Sequence, residues 1–168
     1  FDIEDSIQDV FNQKNNQIFE IDLAFNMLNL WQNRPENILA IQADIENLPF
    51  KNNSFDLLVS SFSLQWLNSF DQAFESFYEL LKKDGILSFC IPNNESLQEL
   101  KIASLESGCN FNFNNLPKIE DLLSGLIKAG FVEKNIAEQT LKSEFDHGLQ
   151  ALHSIKKIGA NHTKKGKK

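Results

Sequence analysis

The chain has 168 residues, 42% of them hydrophobic, a length and apolar content that fit one domain with a real core. A net charge of −7 argues against general nucleic-acid binding, which needs a basic footprint. There is no run of about 18 apolar residues and no signal-peptide pattern, and Cys90 and Cys109 fit no paired-ligand spacing, so a reduced, cytoplasmic setting without a membrane partner is expected.

In chain order, Ile3, Ile7, Val10 and Phe11 recur at helical spacing and predict an amphipathic helix over 3–13, broken by Lys14-Asn15-Asn16. The short apolar run 17–21, rich in β-branched and aromatic residues, predicts a strand ending at Asp22. A helix over 24–31 stops before Pro35, and a second strand over 38–43 ends at Asp44. After a loop through Leu48-Pro49-Phe50 to Ser54, residues 55–60 form a nearly continuous apolar run, as a buried parallel strand should. A helix over 71–83 carries Ala73, Phe74, Phe77, Leu80 and Leu81 on one side. Asp84-Gly85 turns the chain into a strand over 86–91, halted at Pro92. A helix over 95–105, an Asn/Phe-rich loop, a helix over 118–129 ended by Gly130, a strand near 131–139 and a helix over 151–158 complete the series.

Helices and strands alternate with short connections. This predicts an α/β, Rossmann-like, doubly wound fold: a mainly parallel sheet with helices on both faces. The expected organisation is a partial domain over 1–160 and a Lys-rich tail over 161–168. Lysines 156, 157, 164, 165, 167 and 168 crowd the end, as a solvated tail or as a docking patch for an acidic partner. The opening on Phe1 and the Lys-rich close suggest a sequence cut at both ends.

Ligands of such sheets bind at the carboxyl ends of the strands. Asp22 closes the first strand, and an acid about 20 residues beyond a glycine loop accepts hydrogen bonds from ribose hydroxyls. Counting back from Asp22 reaches the start of the chain, so the glycine turn and the strand before it are expected immediately upstream of Phe1. Asp44 closes the second strand and can accept from the adenine amine while Ile45 packs on the ring. Each acid can equally cap a helix or shape a turn. Ser60-Ser61-Phe62-Ser63-Leu64-Gln65-Trp66 follows the third strand, where cofactor and substrate would meet; Leu64 and Trp66 could instead be core, and the serines caps. His147, His153 and His162 lie near the C-terminus without metal-ligand spacing, and no nucleophilic triad is suggested, so neither a catalytic side chain nor a metal ligand is assigned. A cofactor that carries the reactive group fits better.

Four segments carry a resemblance. Ile21-Asp22-Leu23-Ala24-Phe25-Asn26-Met27-Leu28 resembles the "D-L-S-x-x-M-L" segment of class I S-adenosylmethionine-dependent methyltransferases. Ala43-Asp44-Ile45-Glu46-Asn47-Leu48-Pro49-Phe50 is similar to their "G-D-x-E-x-L-P-F". Ser54-Phe55-Asp56-Leu57 through Ser60-Ser61 is similar to "S-F-D-L-V-x-S-N". Leu80-Leu81-Lys82-Lys83-Asp84-Gly85-Ile86-Leu87 resembles "x-L-K-P-G-G-x-L", with Lys83 for the usual Pro and Asp84 for the first Gly.

Narrower features, Leu64-Gln65-Trp66, Ser96-Leu97-Gln98-Glu99-Leu100 and the Leu152-to-His162 ending, resemble the malonyl-acyl-carrier-protein O-methyltransferases of biotin synthesis. A related branch that assists assembly of respiratory complex I and is associated with arginine hydroxylation shares several of these features. Gln65 and the Gly159-to-His162 ending favour the biotin branch.

The resemblance implies S-adenosylmethionine as cofactor, bound by Asp22, Leu23, Asp44, Ile45 and Ser61, with Gln65 and Trp66 on the substrate wall. It implies a malonyl-acyl-carrier protein or malonyl-CoA acceptor and a monomer. Against that family the sequence lacks the first strand, the glycine loop and a final strand, so the chain as written should bind cofactor weakly. A truncated or degenerate methyltransferase-like protein without activity is the alternative.

Overall fold

A computed structural model describes residues 13, 15–108, 116–132 and 134–157. The expected helix over 3–13, Cys109 and the lysines from 164 onward lie outside the described residues. Two compact units are present, Phe1–Asn93 with Pro117–Glu133 and Asn94–Leu116 with Lys134–Lys168.

In the first unit, β-branched and aromatic residues build β1 (Ile18–Asp22) and β2 (Ile38–Gln42), which pair in parallel with Ile18 opposite Ile38 and Asp22 opposite Gln42. Between them lies α1 (Phe25–Leu28), a single turn where a helix over 24–31 was expected. The Arg34 guanidinium folds back, donating through Nη2 to the Leu28 carbonyl and through Nη1 to the Trp31 carbonyl at 2.9 Å, while its Nε pairs with Glu20 Oε2 at 2.6 Å. These bonds satisfy carbonyls left open at and beyond the helix end.

The second parallel pair is β3 (Phe55–Ser61) with β4 (Leu81–Cys90). Between them, α2 (Phe70–Leu80) starts at Ser69, whose hydroxyl accepts the Gln72 N–H at 3.3 Å. The helix ends three residues before the expected Lys83. The N–H groups of Asn53 and Ser54 take the carbonyls of Glu79 and Leu80 at 2.8 Å each, and Leu81 turns extended to pair with Phe55. The pairing then jumps to Leu57 opposite Ile86, so Lys82–Gly85 loop out of the ladder. The Asp84-Gly85 turn read from sequence is this bulge. Asp84 has φ +64°, and a Cβ on Gly85 would meet the Lys82 carbonyl at 2.9 Å.

The core lies on one face of the β3–β4 pair. Phe74 and Leu64 are fully buried, with Leu67, Ala73, Phe77 and Leu122, and Leu58, Leu87 and Phe89 from the strands pack against them. Leu122 belongs to α3 (Ile119–Ala129), which crosses α2 closely at Gly125: a Cβ there would sit 3.0 Å from the Phe74 ring. Gly130 ends the helix with φ +108°, as expected of a left-handed cap.

The two strand pairs are joined at both ends. Phe19 of β1, Phe50 and Phe55 of β3 make a cluster of edge-on rings with centroids 4.8–5.8 Å apart. At the carboxyl ends, Glu46, beyond β2, holds Asn68, beyond β3. Both pairs therefore run in the same direction. The ladders are nevertheless separate two-stranded sheets, and β1 and β3 each keep one edge without a ladder partner among the described residues.

In the second unit are α4 (Gln98–Glu106) and α5 (Gly148–Lys157), in place of the predicted 95–105 and 151–158. The strand expected near 131–139 is absent from the described part of that range. No ladder partner lies beside it there, and Val132 and Ile136 are 88% and 54% exposed, so the apolar pattern is not buried as a strand face would be. Among the described residues no helix is long and apolar enough to cross a membrane.

Candidate functional site at the strand ends

Parallel pairing puts the carboxyl ends of β1 and β2 side by side, and the ladder continues one step beyond them, from the Ala43 N–H to the Asp22 carbonyl at 3.2 Å. Asp22 Oδ1 accepts the Ala24 N–H at 2.7 Å, and Asp44 Oδ1 accepts the Glu46 N–H at 3.0 Å. The same local motif thus recurs at two neighbouring strand ends. The turn role that each acid could play is real, yet it uses one carboxylate oxygen. Oδ2 of each makes no hydrogen bond among the described residues and stays available to a donor. Leu23 is exposed, and its carbonyl accepts Gln42 Nε2 at 2.9 Å, a second tie between the two strand ends. Ile45 is partly buried and packs against the core cluster.

The end of β3 is shaped differently. The Phe62 N–H extends the ladder to the Cys90 carbonyl at 2.9 Å, and Phe62 then adopts φ +50°, a left-handed conformation unusual for an aromatic residue. That turn swings Ser63 into a short 3-10 helix, Leu64–Trp66. Leu64 is 0% exposed, so for this residue the core role holds. The Ser63 hydroxyl donates to the Ser61 carbonyl at 3.2 Å, while the Ser61 side chain itself is exposed and Trp66 is half-buried.

Gln65 Nε2 donates to the Phe62 carbonyl at 2.6 Å, which fixes the amide orientation. Its Oε1 is then buried without a hydrogen-bond partner, as is Ser60 Oγ on β3. Buried acceptors without donors are costly unless a ligand or water supplies one. Gln65 Oε1 and the second carboxylate oxygens of Asp22 and Asp44 are acceptors that a hydroxyl, amine or ammonium donor could satisfy.

The residues that knit this region together were not singled out from sequence. Glu46 Oε1 accepts the Asn68 N–H at 2.7 Å and its Oε2 the Asn68 side-chain amide at 2.5 Å. Glu20 and Arg34, the latter 17% exposed at its side chain, lock the connection between β1 and β2. Glu46 stands in the Leu-Pro-Phe segment quoted from sequence, but its pairing with Asn68 across 22 residues was not legible there. His147 and His153 are exposed on or beside α5, and among the described residues no group of three or more His, Cys, Asp or Glu could hold a metal ion. A depression lined by Phe145, Gln150, His153 and Ser154 shares no residue with the strand ends.

The family model for the methyltransferase domain matches residues 5–89, which include β1 to β4 up to Phe89 and the strand-end residues Asp22, Asp44 and Ser61. The chain belongs to the methyltransferase domain family. It is 30% identical over 162 residues to the malonyl-[acyl-carrier protein] O-methyltransferase of Laribacter hongkongensis, covering 90% of this chain and 54% of that protein. It is 28% identical over 149 residues to human mitochondrial arginine-hydroxylase NDUFAF5, covering 85% of this chain and 43% of that protein. A SAM-dependent methyltransferase of Thermotoga maritima has the same fold, with a TM-score of 0.56 and 23% identity over 69% of this chain and 55% of that one. The Rossmann-like methyltransferase fold expected from sequence is therefore present, and this chain spans about half the length of the relatives it matches.

Proposed function

We propose that the chain takes part in S-adenosylmethionine-dependent methyl transfer to the free carboxylate of a malonyl thioester, carried by acyl-carrier protein or coenzyme A. The observation that carries the proposal is the pair of strand-end carboxylates, Asp22 and Asp44, each with one oxygen fixed by its own turn and one left for a ligand. Asp22 accepts from the ribose hydroxyls and Asp44 from the adenine amine, with Leu23 and Ile45 as apolar neighbours. Ser61 closes the cofactor side of the wall, and Gln65 and Trp66 face the reacting end. An unpartnered amide oxygen repels a carboxylate and attracts a donor, so Gln65 Oε1 suits the ammonium end of the cofactor better than the acceptor carboxylate.

When bound, S-adenosylmethionine supplies an electrophilic methyl group on a sulfonium. A malonyl carboxylate is ionised at neutral pH, since such groups titrate near about 4, so this chain need not contribute a general base. Asp22 and Asp44 would hold the cofactor so that this methyl group passes to an acceptor carboxylate oxygen, the sulfur leaving as a neutral thioether. The residues here have to orient and exclude water, and such orientation is worth roughly 7–11 kcal/mol.

A second reading, a methyltransferase-like chain without activity, is favoured by the unpartnered edges of β1 and β3 among the described residues. Incubation with methyl-labelled S-adenosylmethionine and malonyl-acyl-carrier protein, malonyl-CoA or an arginine-containing peptide separates the readings. Label in base-labile ester on a malonyl acceptor is the expected result. Label on no acceptor supports the second reading, and hydroxylation of the arginine peptide, read by mass in a parallel incubation supplied with dioxygen and a reductant, would move the chain to the arginine-hydroxylase branch.

A further inference from the structure

We propose that Glu46 is a positioning residue that sets the cofactor contacts against the acceptor wall, an inference that rests on the methyl-transfer reading. Glu46 stands in a chain of three bonds. Its N–H donates to Asp44 Oδ1 at 3.0 Å, and its two carboxylate oxygens accept the backbone and side-chain N–H groups of Asn68 at 2.7 and 2.5 Å. One end of this chain is the loop with Asp44 and Ile45; the other lies two residues beyond Trp66 and immediately before Ser69, the cap of α2. Ile45 and Leu48, on either side of Glu46, pack on the same core cluster that buries Leu64. The backbone around Glu46 is thus anchored, and its carboxylate transmits that anchor to the segment after β3.

Both Glu46 and Asn68 are exposed, and their bonds run through solvent-facing groups. Exposed polar pairs contribute little to global stability. Loop register matters far more to a reaction that needs collinear nucleophile, carbon and leaving sulfur, where a misplacement of about 1 Å can lower the rate about 100-fold. Loss of the clamp therefore acts on turnover more than on folding.

The test uses Glu46→Ala, Asn68→Asp and the double exchange Glu46→Gln with Asn68→Asp, in the complete protein with malonyl-acyl-carrier protein as acceptor. In the double exchange the new amide at position 46 accepts the position-68 backbone N–H and donates to the new carboxylate, so the clamp is rebuilt with its polarity reversed. Glu46→Ala is expected to lower kcat by about 10- to 100-fold with a nearly unchanged urea midpoint. Asn68→Asp sets two carboxylates against each other and lowers kcat as much. The double exchange restores it to within a few-fold. Amide hydrogen exchange at position 68, read without cofactor, is slow in the wild type and fast in Glu46→Ala. Full activity in Glu46→Ala, or no recovery in a folded double exchange, overturns the proposal alone. A wild type that methylates no acceptor overturns the underlying reading and the proposal with it.

Discussion

Asp22 is where the structural and the ligand role of one side chain can be separated. Its Oδ1 accepts the Ala24 N–H at 2.7 Å, and its Oδ2 is the oxygen assigned to ribose. Asp22→Asn keeps an amide oxygen for the Ala24 N–H but turns the second acceptor into a donor, which cannot take a hydroxyl proton. A hydrogen bond to a charged group contributes about 1.5–3 kcal/mol. At about 1.4 kcal/mol per factor of ten, the loss corresponds to roughly 10- to 150-fold in Kd. Asp22→Ala loses the turn bond as well and should add about 0.5–1.5 kcal/mol of destabilisation. Calorimetric titration with S-adenosylhomocysteine gives the first quantity, and urea unfolding the second. The expected pattern is Asp22→Asn folded like the wild type but weakened for cofactor, and Asp22→Ala impaired in both. Wild-type affinity in Asp22→Asn would refute the ribose assignment, and equal stability in Asp22→Ala would refute the turn.

Phe74 is fully buried between Phe70, Phe89 and Gly125, so Phe74→Ala should cost about 3–5 kcal/mol in urea unfolding. Gly125→Val drives a branched side chain into that ring and should cost at least about 1–3 kcal/mol; a neutral result would mean that α2 and α3 are not in close contact. Arg34→Met removes a guanidinium that holds Glu20 and two carbonyls, and should destabilise by about 1.5–3 kcal/mol, with amide exchange rising first around α1. The Asp71 carboxylate, 2.5 Å from Lys128 Nζ, raises the lysine pKa above its ordinary value. A raised pKa means stability present below the ordinary lysine range and lost as pH climbs through the folded value. The difference in Tm between wild type and Lys128→Met should therefore be constant near neutrality and shrink only at strongly alkaline pH.

Much of the first unit was legible because its strands contain apolar runs, the first two closed by the acids Asp22 and Asp44. Asp22, Asp44 and Ser61 stand at or just beyond strand ends in the structure, as their flanking patterns implied. What sequence missed depends on contacts between distant segments. Arg34 takes the Leu28 and Trp31 carbonyls at and beyond the end of α1, a side-chain contact that helical spacing cannot register. Leu80 and Leu81 continue the apolar stripe of α2, yet Leu81 is buried as the first strand residue opposite Phe55, because the loop at Asn53 and Ser54 takes the last helical carbonyls. Val132 and Ile136 alternate like a strand but have no ladder neighbour among the described residues. The acids themselves illustrate the remaining ambiguity. A strand-end Asp reads as a turn or as a ligand contact from sequence, and in three dimensions each carboxylate serves the turn with one oxygen and exposes the other.

S-adenosylmethionine is proposed to bind at the carboxyl ends of β1, β2 and β3. The most direct measurement is a titration of the isotope-labelled protein with S-adenosylhomocysteine, followed by amide chemical shifts. Saturable shifts concentrated at Asp22–Ala24, Asp44–Glu46 and Ser61–Trp66, and weakened in Asp22→Asn, are the predicted result. Shifts confined to other segments, such as the depression around His153, or none at millimolar ligand, would contradict it.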